Sequence, residues 1–252
     1  MGQEGRVALV TGGGRGIGKA IALGLAEDGA DIAINYRKND EAAQETVAEI
    51  EKLGRRAIAY SASVDDLDAC EQMVAQVLSD FGAVDILVNN AGIASRGQTV
   101  ADTDPTEMER VWRTHTLGAW MLSKLVIPSM RTRPRGDIVM ISSAATVHMA
   151  ANSAPYNVAK AGLEALASTL AKEERRNGIH VNVVAPGLVD TEMGRRLVKG
   201  AMGVEDIHSM DERSPFGHVC SPEEVADAVR FVVSEHASYL TGQRIGVDGG
   251  PF

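Results

Sequence analysis

Ser143, Tyr156 and Lys160 are the residues of this chain whose types and spacing best suit chemistry. Tyr156 and Lys160 stand at i and i+4 on a segment where Ala159, Leu163, Leu166 and Leu170 recur at helical spacing, so both project from the same side of a helix. A free phenol titrates near ~10, too high for ready proton exchange at neutral pH. A fixed ammonium beside it favours the phenolate and turns the tyrosine into a usable acid or base. Ser143 follows a β-branched apolar run, residues 137–141, so it is expected just past the C-terminal end of a strand. From there it can hold a substrate oxygen against the tyrosine. An ordinary surface Tyr and Lys would show the same spacing, so the weight of the pair rests on the elements around it.

Those elements alternate. Residues 6–11 read as a buried strand that runs into Gly12, Gly13, Gly14, Arg15, Gly16, Ile17 and Gly18, followed by a helix carrying Ile21, Leu23 and Leu25. A strand, a glycine turn and a helix N-terminus aim bare N–H groups and a helix dipole at one spot, which suits an anion. Further strands are expected at 31–35, 57–61, 85–89, up to about 142, 180–185 and 244–248, with helices at 41–53, 67–81, 111–130 and 223–234. Pro105 is expected to open a short separate helix. Residues 191–222 show no clean periodicity. The predicted fold is α/β: a Rossmann-type doubly wound parallel sheet of about seven strands with helices on both faces, in one domain with a substrate-side segment at about 191–222. Ligands bind such sheets at the carboxyl ends of the strands, where the glycine turn, Asn89–Gly92, Ser143 and Pro186-Gly187 all fall.

Composition narrows the function. The chain has 252 residues, 44% of them hydrophobic, and a formal net charge of −9, which argues against nucleic acid or an anionic membrane surface as partner. It lacks a long apolar run and a signal-like start, and Cys70 and Cys220 form no disulfide or zinc pattern. Its histidines show no metal-binding spacing, so no metal is expected. A cytoplasmic location follows as the expectation.

Taken together, Thr11-Gly12-x3-Gly16-x-Gly18, Asn89-Asn90-Ala91-Gly92, Ser143, Tyr156-x3-Lys160, Pro186-Gly187 and the closing Val247-Asp248-Gly249-Gly250 resemble the short-chain dehydrogenase/reductase family over essentially the whole chain. That resemblance implies a nicotinamide cofactor across the sheet edge. Its pyrophosphate would lie over Gly12, Gly14, Arg15, Gly16, Ile17 and Gly18, with Asn90, Ala91 and Gly92 on the adenine-ribose side and Pro186, Gly187, Val189 and Thr191 bordering the nicotinamide. It also implies that Tyr156 gives a proton to a substrate carbonyl, that Ser143 orients the oxygen, and that Lys160 binds the ribose and lowers the tyrosine's pKa. Enzymes of this kind that use NAD place an acid after the second strand. Here that neighbourhood is Asn35-Tyr36-Arg37-Lys38, and Arg37 with Arg15 suits a 2′-phosphate, so NADP(H) is the expected cofactor.

The sequence departs from the family pattern in places. Ser63, before Val64, stands where an Asp or Asn often reads the adenine. His115 replaces a helix asparagine that helps a water connect the lysine to solvent. It keeps that relay, with a pH profile altered by an imidazole near ~6.5, or is a packed helix histidine, or is a sign of impaired turnover. Val147, His148, Met149 and residues 191–222 are expected to line the substrate pocket. The nearest resemblance within the family is to bacterial 3-oxoacyl-carrier-protein reductases. Their carrier-docking basic positions are taken here by Asp137 and Asn177, and the adjacent Arg135, Arg175 and Arg176 are expected to be able to substitute in docking. A 3-oxoacyl thioester therefore stands beside other ketones, sugars, polyols and steroids as the substrate, and a weakly catalytic dinucleotide sensor is the rival class. The family implies a homotetramer.

Overall fold

The computed structural model describes residues 2–250. Strands β1 (Val7–Thr11), β2 (Asp31–Tyr36), β3 (Ala57–Ser61), β4 (Ile86–Asn89), β5 (Gly136–Ile141), β6 (Ile179–Pro186) and β7 (Arg244–Val247) form one sheet in the order β3-β2-β1-β4-β5-β6-β7. Every pairing is parallel. Strands β1, β4 and β5 are buried along their entire length, because helices cover both faces. One core cluster, with Leu9, Leu87, Met130, Ile138 and Leu163, lies under α3 (Leu67–Phe81), α5 (Gly118–Met130) and α7 (Ala154–Glu174). The other, with Ile21, Leu25, Ile34, Ile50 and Val229, lies under α1 (Gly16–Glu27), α2 (Asp40–Lys52) and α9 (Pro222–Val232).

Register sets the site. Thr11 pairs with Asn35, Asn89 with Met140, Ile141 with Val184, and Pro186 with Val247, so these strand ends share one edge. Strand order reverses between β1 and β4, leaving a crevice where the connections diverge.

Three expectations need correction. The short helix at Pro105 and the long one at 111–130 form one continuous helical run: α4 (Pro105–Trp112) passes through a π turn, Arg113–Leu117, into α5. The wider turn accommodates a buried polar residue, and single π turns inside α-helices tend to mark functional sites. Residues 191–222, which lacked periodicity, hold helix α8 (Glu192–Met202) and two 3₁₀ turns. Helix α8 buries only Gly194 and Val198, too narrow a stripe to read from sequence. Finally, Asp137 is no surface docking position. It is buried, and takes Arg6 at 2.6 Å and Arg135 at 2.9 Å, so Arg135 is occupied inside the fold. The remaining short helix, α6 (Ala145–His148), follows β5.

Candidate active site

The glycine turn closes on itself. A Cβ on Gly18 would stand 2.2 Å from the Gly12 carbonyl oxygen, and Gly12 and Gly16 have φ of +63° and +52°. Only glycine lets this backbone approach so closely. Gly14 also serves packing, since its face lies against the Ala43 backbone of α2. Helix α1 begins after Arg15 with no side-chain cap and no acidic residue in its first turn. Its N–H groups and dipole are therefore directed outward, as an anion requires. Ile17 packs partly into the core, and Thr191 Cγ2 would stand 3.4 Å from a Cβ on Gly16, which brings the β6 loop to the turn.

Two residues that sequence reading gave no role hold the turn in place. Thr11 Oγ1 accepts from the N–H groups of Asn90 and Ala91, each at 2.9 Å. Buried Asn35 donates to the Ala62 carbonyl at 2.9 Å and accepts from Gly12 N–H. A polar residue ending each of two apolar strands was the signal available. Asn90 donates its side-chain amide to the Thr11 carbonyl at 2.8 Å, so it braces the turn from behind. Val64 is buried, and Ser63 is turned onto Asp65 at 2.5 Å. Val189 is buried in the core, Pro186 ends β6 at the sheet edge, and Gly187 follows it. Arg15 and Arg37 are both exposed. Arg15 pairs with Glu192 at 2.5 Å, whereas Arg37 has no ion pair among the described residues.

Ser143, Tyr156, Lys160 and His115 come together from β5's end, α7 and the π turn. Burial pushes the Tyr156 phenol up from its ordinary value, and the neighbouring Ser143 hydroxyl only partly opposes this. The lysine's expected lowering of the tyrosine is therefore not what dominates: Lys160 Nζ lies 5.7 Å from the ring centroid and donates to the Ile141 carbonyl at 2.6 Å. Burial in turn lowers Lys160 to about 7, against the opposing pull of Glu164. In so dry a site the neutral form of each group gains.

His115 is 3% exposed and meets Tyr156 edge-on, ring centroids 5.3 Å apart. Its Nε2 lies 2.8 Å from the Ile93 carbonyl, while Nδ1 is buried without a partner among the described residues. A Cβ on Gly92 would sit 2.5 Å from the imidazole Cε1, so Gly92 makes room for the ring. Burial, then the Lys160 charge, drives the imidazole down to about 3. The expectation of a histidine titrating near neutrality is thus overturned: the ring stays neutral, because a proton on it would be desolvated beside a cation.

Val147, His148 and Met149 are exposed beyond Ser143, and Met149 has φ of +47°. Met193, Leu197 and Met202 lie exposed on α8. No helix among the described residues is long and apolar enough to cross a membrane.

Known proteins resemble this chain in sequence and in fold. A sequence profile described as enoyl-(acyl carrier protein) reductase matches residues 12–251. An L-rhamnose 1-dehydrogenase (NAD(P)(+)) of Sphingomonas sp. is 36% identical over 250 residues, 99% of this chain and 97% of the relative. A 3-oxoacyl-[acyl-carrier-protein] reductase of Synechocystis sp. is 38% identical over 246 residues, covering 97% and 96%. A short chain dehydrogenase from Burkholderia cenocepacia, solved in complex with NADP, superposes with a TM-score of 0.88 at 36% identity and 98% coverage of both chains. Matched in sequence and in fold over nearly its full length, this chain belongs to the short-chain dehydrogenase/reductase family of oxidoreductases.

Proposed function

We propose that this protein is an NADPH-dependent reductase of a ketone carried on an apolar body, such as a 3-oxoacyl thioester. The observation that carries the reading is the convergence of Ser143, Tyr156 and Lys160 at the strand edge beside an uncapped glycine turn. The donor set fits the cofactor. The Gly12–Gly18 backbone would hold the pyrophosphate, Arg37 and Arg15 the 2′-phosphate, and Lys160 the ribose hydroxyls. The NADP held by the Burkholderia relative supports the same choice. When bound, NADPH supplies the hydride that the carbonyl carbon accepts.

The chain's own residues manage the oxygen. Ser143 Oγ donates to the substrate carbonyl and holds it against Tyr156, whose phenol gives its proton as negative charge grows there. A charged Lys160 then stabilises the phenolate left behind. His115, neutral, fixes the Tyr156 ring and the Ile93 loop. The exposed Met149 beyond Ser143, with Met193 and Leu197 one turn apart on α8, supports an apolar substrate body. Exposed Trp112, Trp120 and Val158 on the outer helices support a homotetramer, and the protein is read as cytoplasmic.

The test is NADPH oxidation against acetoacetyl thioesters, diketones, steroids and sugars, with Tyr156→Phe as control. Turnover of an acyl or steroid ketone, reduced about 10²–10⁴-fold in the variant while NADPH still binds, is expected. Turnover confined to sugars would overturn the substrate reading. Full activity in Tyr156→Phe would overturn the mechanism.

A further inference from the structure

Behind the reacting groups lies a charged cluster that the reaction as described does not use. Glu164 stands one turn beyond Lys160 on α7, with its side chain 22% exposed. Three donors converge on its Oε1: Ser142 Oγ at 2.6 Å, Thr146 Oγ1 at 2.8 Å and Arg244 Nε at 3.1 Å. The guanidinium of Arg244, on the edge strand β7, also donates through Nη2 to the Ser143 carbonyl and to Thr146 Oγ1, each at 3.2 Å. One ion pair therefore joins the last strand, the helix carrying Tyr156 and Lys160, and the backbone of the serine itself.

We propose that Glu164 and Arg244 form a charge-setting and positioning pair for this site, in which Glu164 keeps Lys160 protonated and Arg244 moderates Glu164 while anchoring the Ser143 segment. This builds on the Ser–Tyr–Lys reading above. Around Lys160, helix α7 offers Glu164 and the neutral Tyr156 phenol, the π turn offers neutral His115, and β5 offers the Ile141 carbonyl. Glu164 is thus the anion that acts on the lysine, and Arg244 is the cation placed to reduce its effect. Because burial brings Lys160 down to about 7, a modest change in local charge alters the fraction protonated at neutral pH. Ser142, Thr146 and Arg244 also fix the turn on which Ser143 sits, whatever the state of the lysine. Both members are positioning residues, since each acts through another.

Opposite signs make the test. Glu164→Gln keeps an acceptor for the three donors but removes the charge, so the Lys160 midpoint should fall by about half to one pH unit. Arg244→Met leaves Glu164 unopposed, so the midpoint should rise by a similar amount. The double variant should follow Glu164→Gln. The midpoint is read in the whole protein from the lysine ¹³Cε resonance that Lys160→Arg removes, with melting temperatures confirming that each variant is folded. The alkaline limb of kcat should move in the same directions, while KM for the ketone stays within about twofold. Shifts of the same sign in both single variants, or an unmoved midpoint in Glu164→Gln, would overturn the proposal. The resonance titrates without substrate, so absence of turnover on every ketone would count against the reductase reading and leave this pair to be judged on the midpoints.

Discussion

Replacing His115 with Asn should make the fold less sensitive to acid, and the size of the effect follows from the buried ring. The unfolded histidine titrates at 6.5 and the folded one at about 3, so below pH 6.5 the unfolded chain binds the extra proton. The stability contributed by the neutral ring is complete above 6.5 and is lost as pH falls towards 3. Between pH 7 and pH 5 the separation amounts to roughly 1.5 pH units, or about 2 kcal/mol at 1.36 kcal/mol per unit. At 3% exposure solvent does little to screen it. The assay is denaturant unfolding at pH 7 and pH 5 for both proteins, compared as a double difference so that the other histidines cancel. His115→Asn should lose about 2 kcal/mol less on acidification, equivalent to roughly 4–8 °C in Tm for a domain of this size. Equal acid sensitivity, or an imidazole resonance at His115 titrating above pH 5.5, would refute the buried-neutral assignment. The same reasoning expects no inflection from His115 in activity between pH 5 and 8.

Arg37→Asp removes a guanidinium and adds repulsion, so the NADP-to-NAD ratio of kcat/KM should fall by about a hundredfold or more; an unmoved ratio would remove Arg37 from cofactor choice. Asp137→Ala leaves Arg6 and Arg135 facing each other without an anion and should destabilise the fold by about 3–5 kcal/mol in urea unfolding, whereas a loss below about 1 kcal/mol would make the pair incidental. Gly18→Ala puts a methyl 2.2 Å from the Gly12 carbonyl, so NADPH affinity measured by fluorescence should drop at least about tenfold, and unchanged affinity would mean the turn is not the binding element.

Much of this protein is written locally. Alternating apolar runs and amphipathic stretches suffice to predict a parallel α/β sheet, because a strand covered on both faces must be apolar throughout. Strand β3 and helix α3 fall where the pattern predicts them, and α3 lies between Asp66 and Gly82 and buries Cys70, Met73, Val74 and Val77 along one face. Ser143, Tyr156 and Lys160 are legible from type and spacing, as is the glycine turn. What local pattern does not carry is the environment of a charge. The neutrality of His115, the lowering of Lys160 and the burial of Asp137 depend on which distant elements exclude water, and chain spacing holds no record of that. The same holds for Arg244, which reaches Ser143 only because β7 pairs with β6 and β6 with β5. Sequence determined which groups are available for proton transfer; packing decided which of them are charged, and what holds them in place.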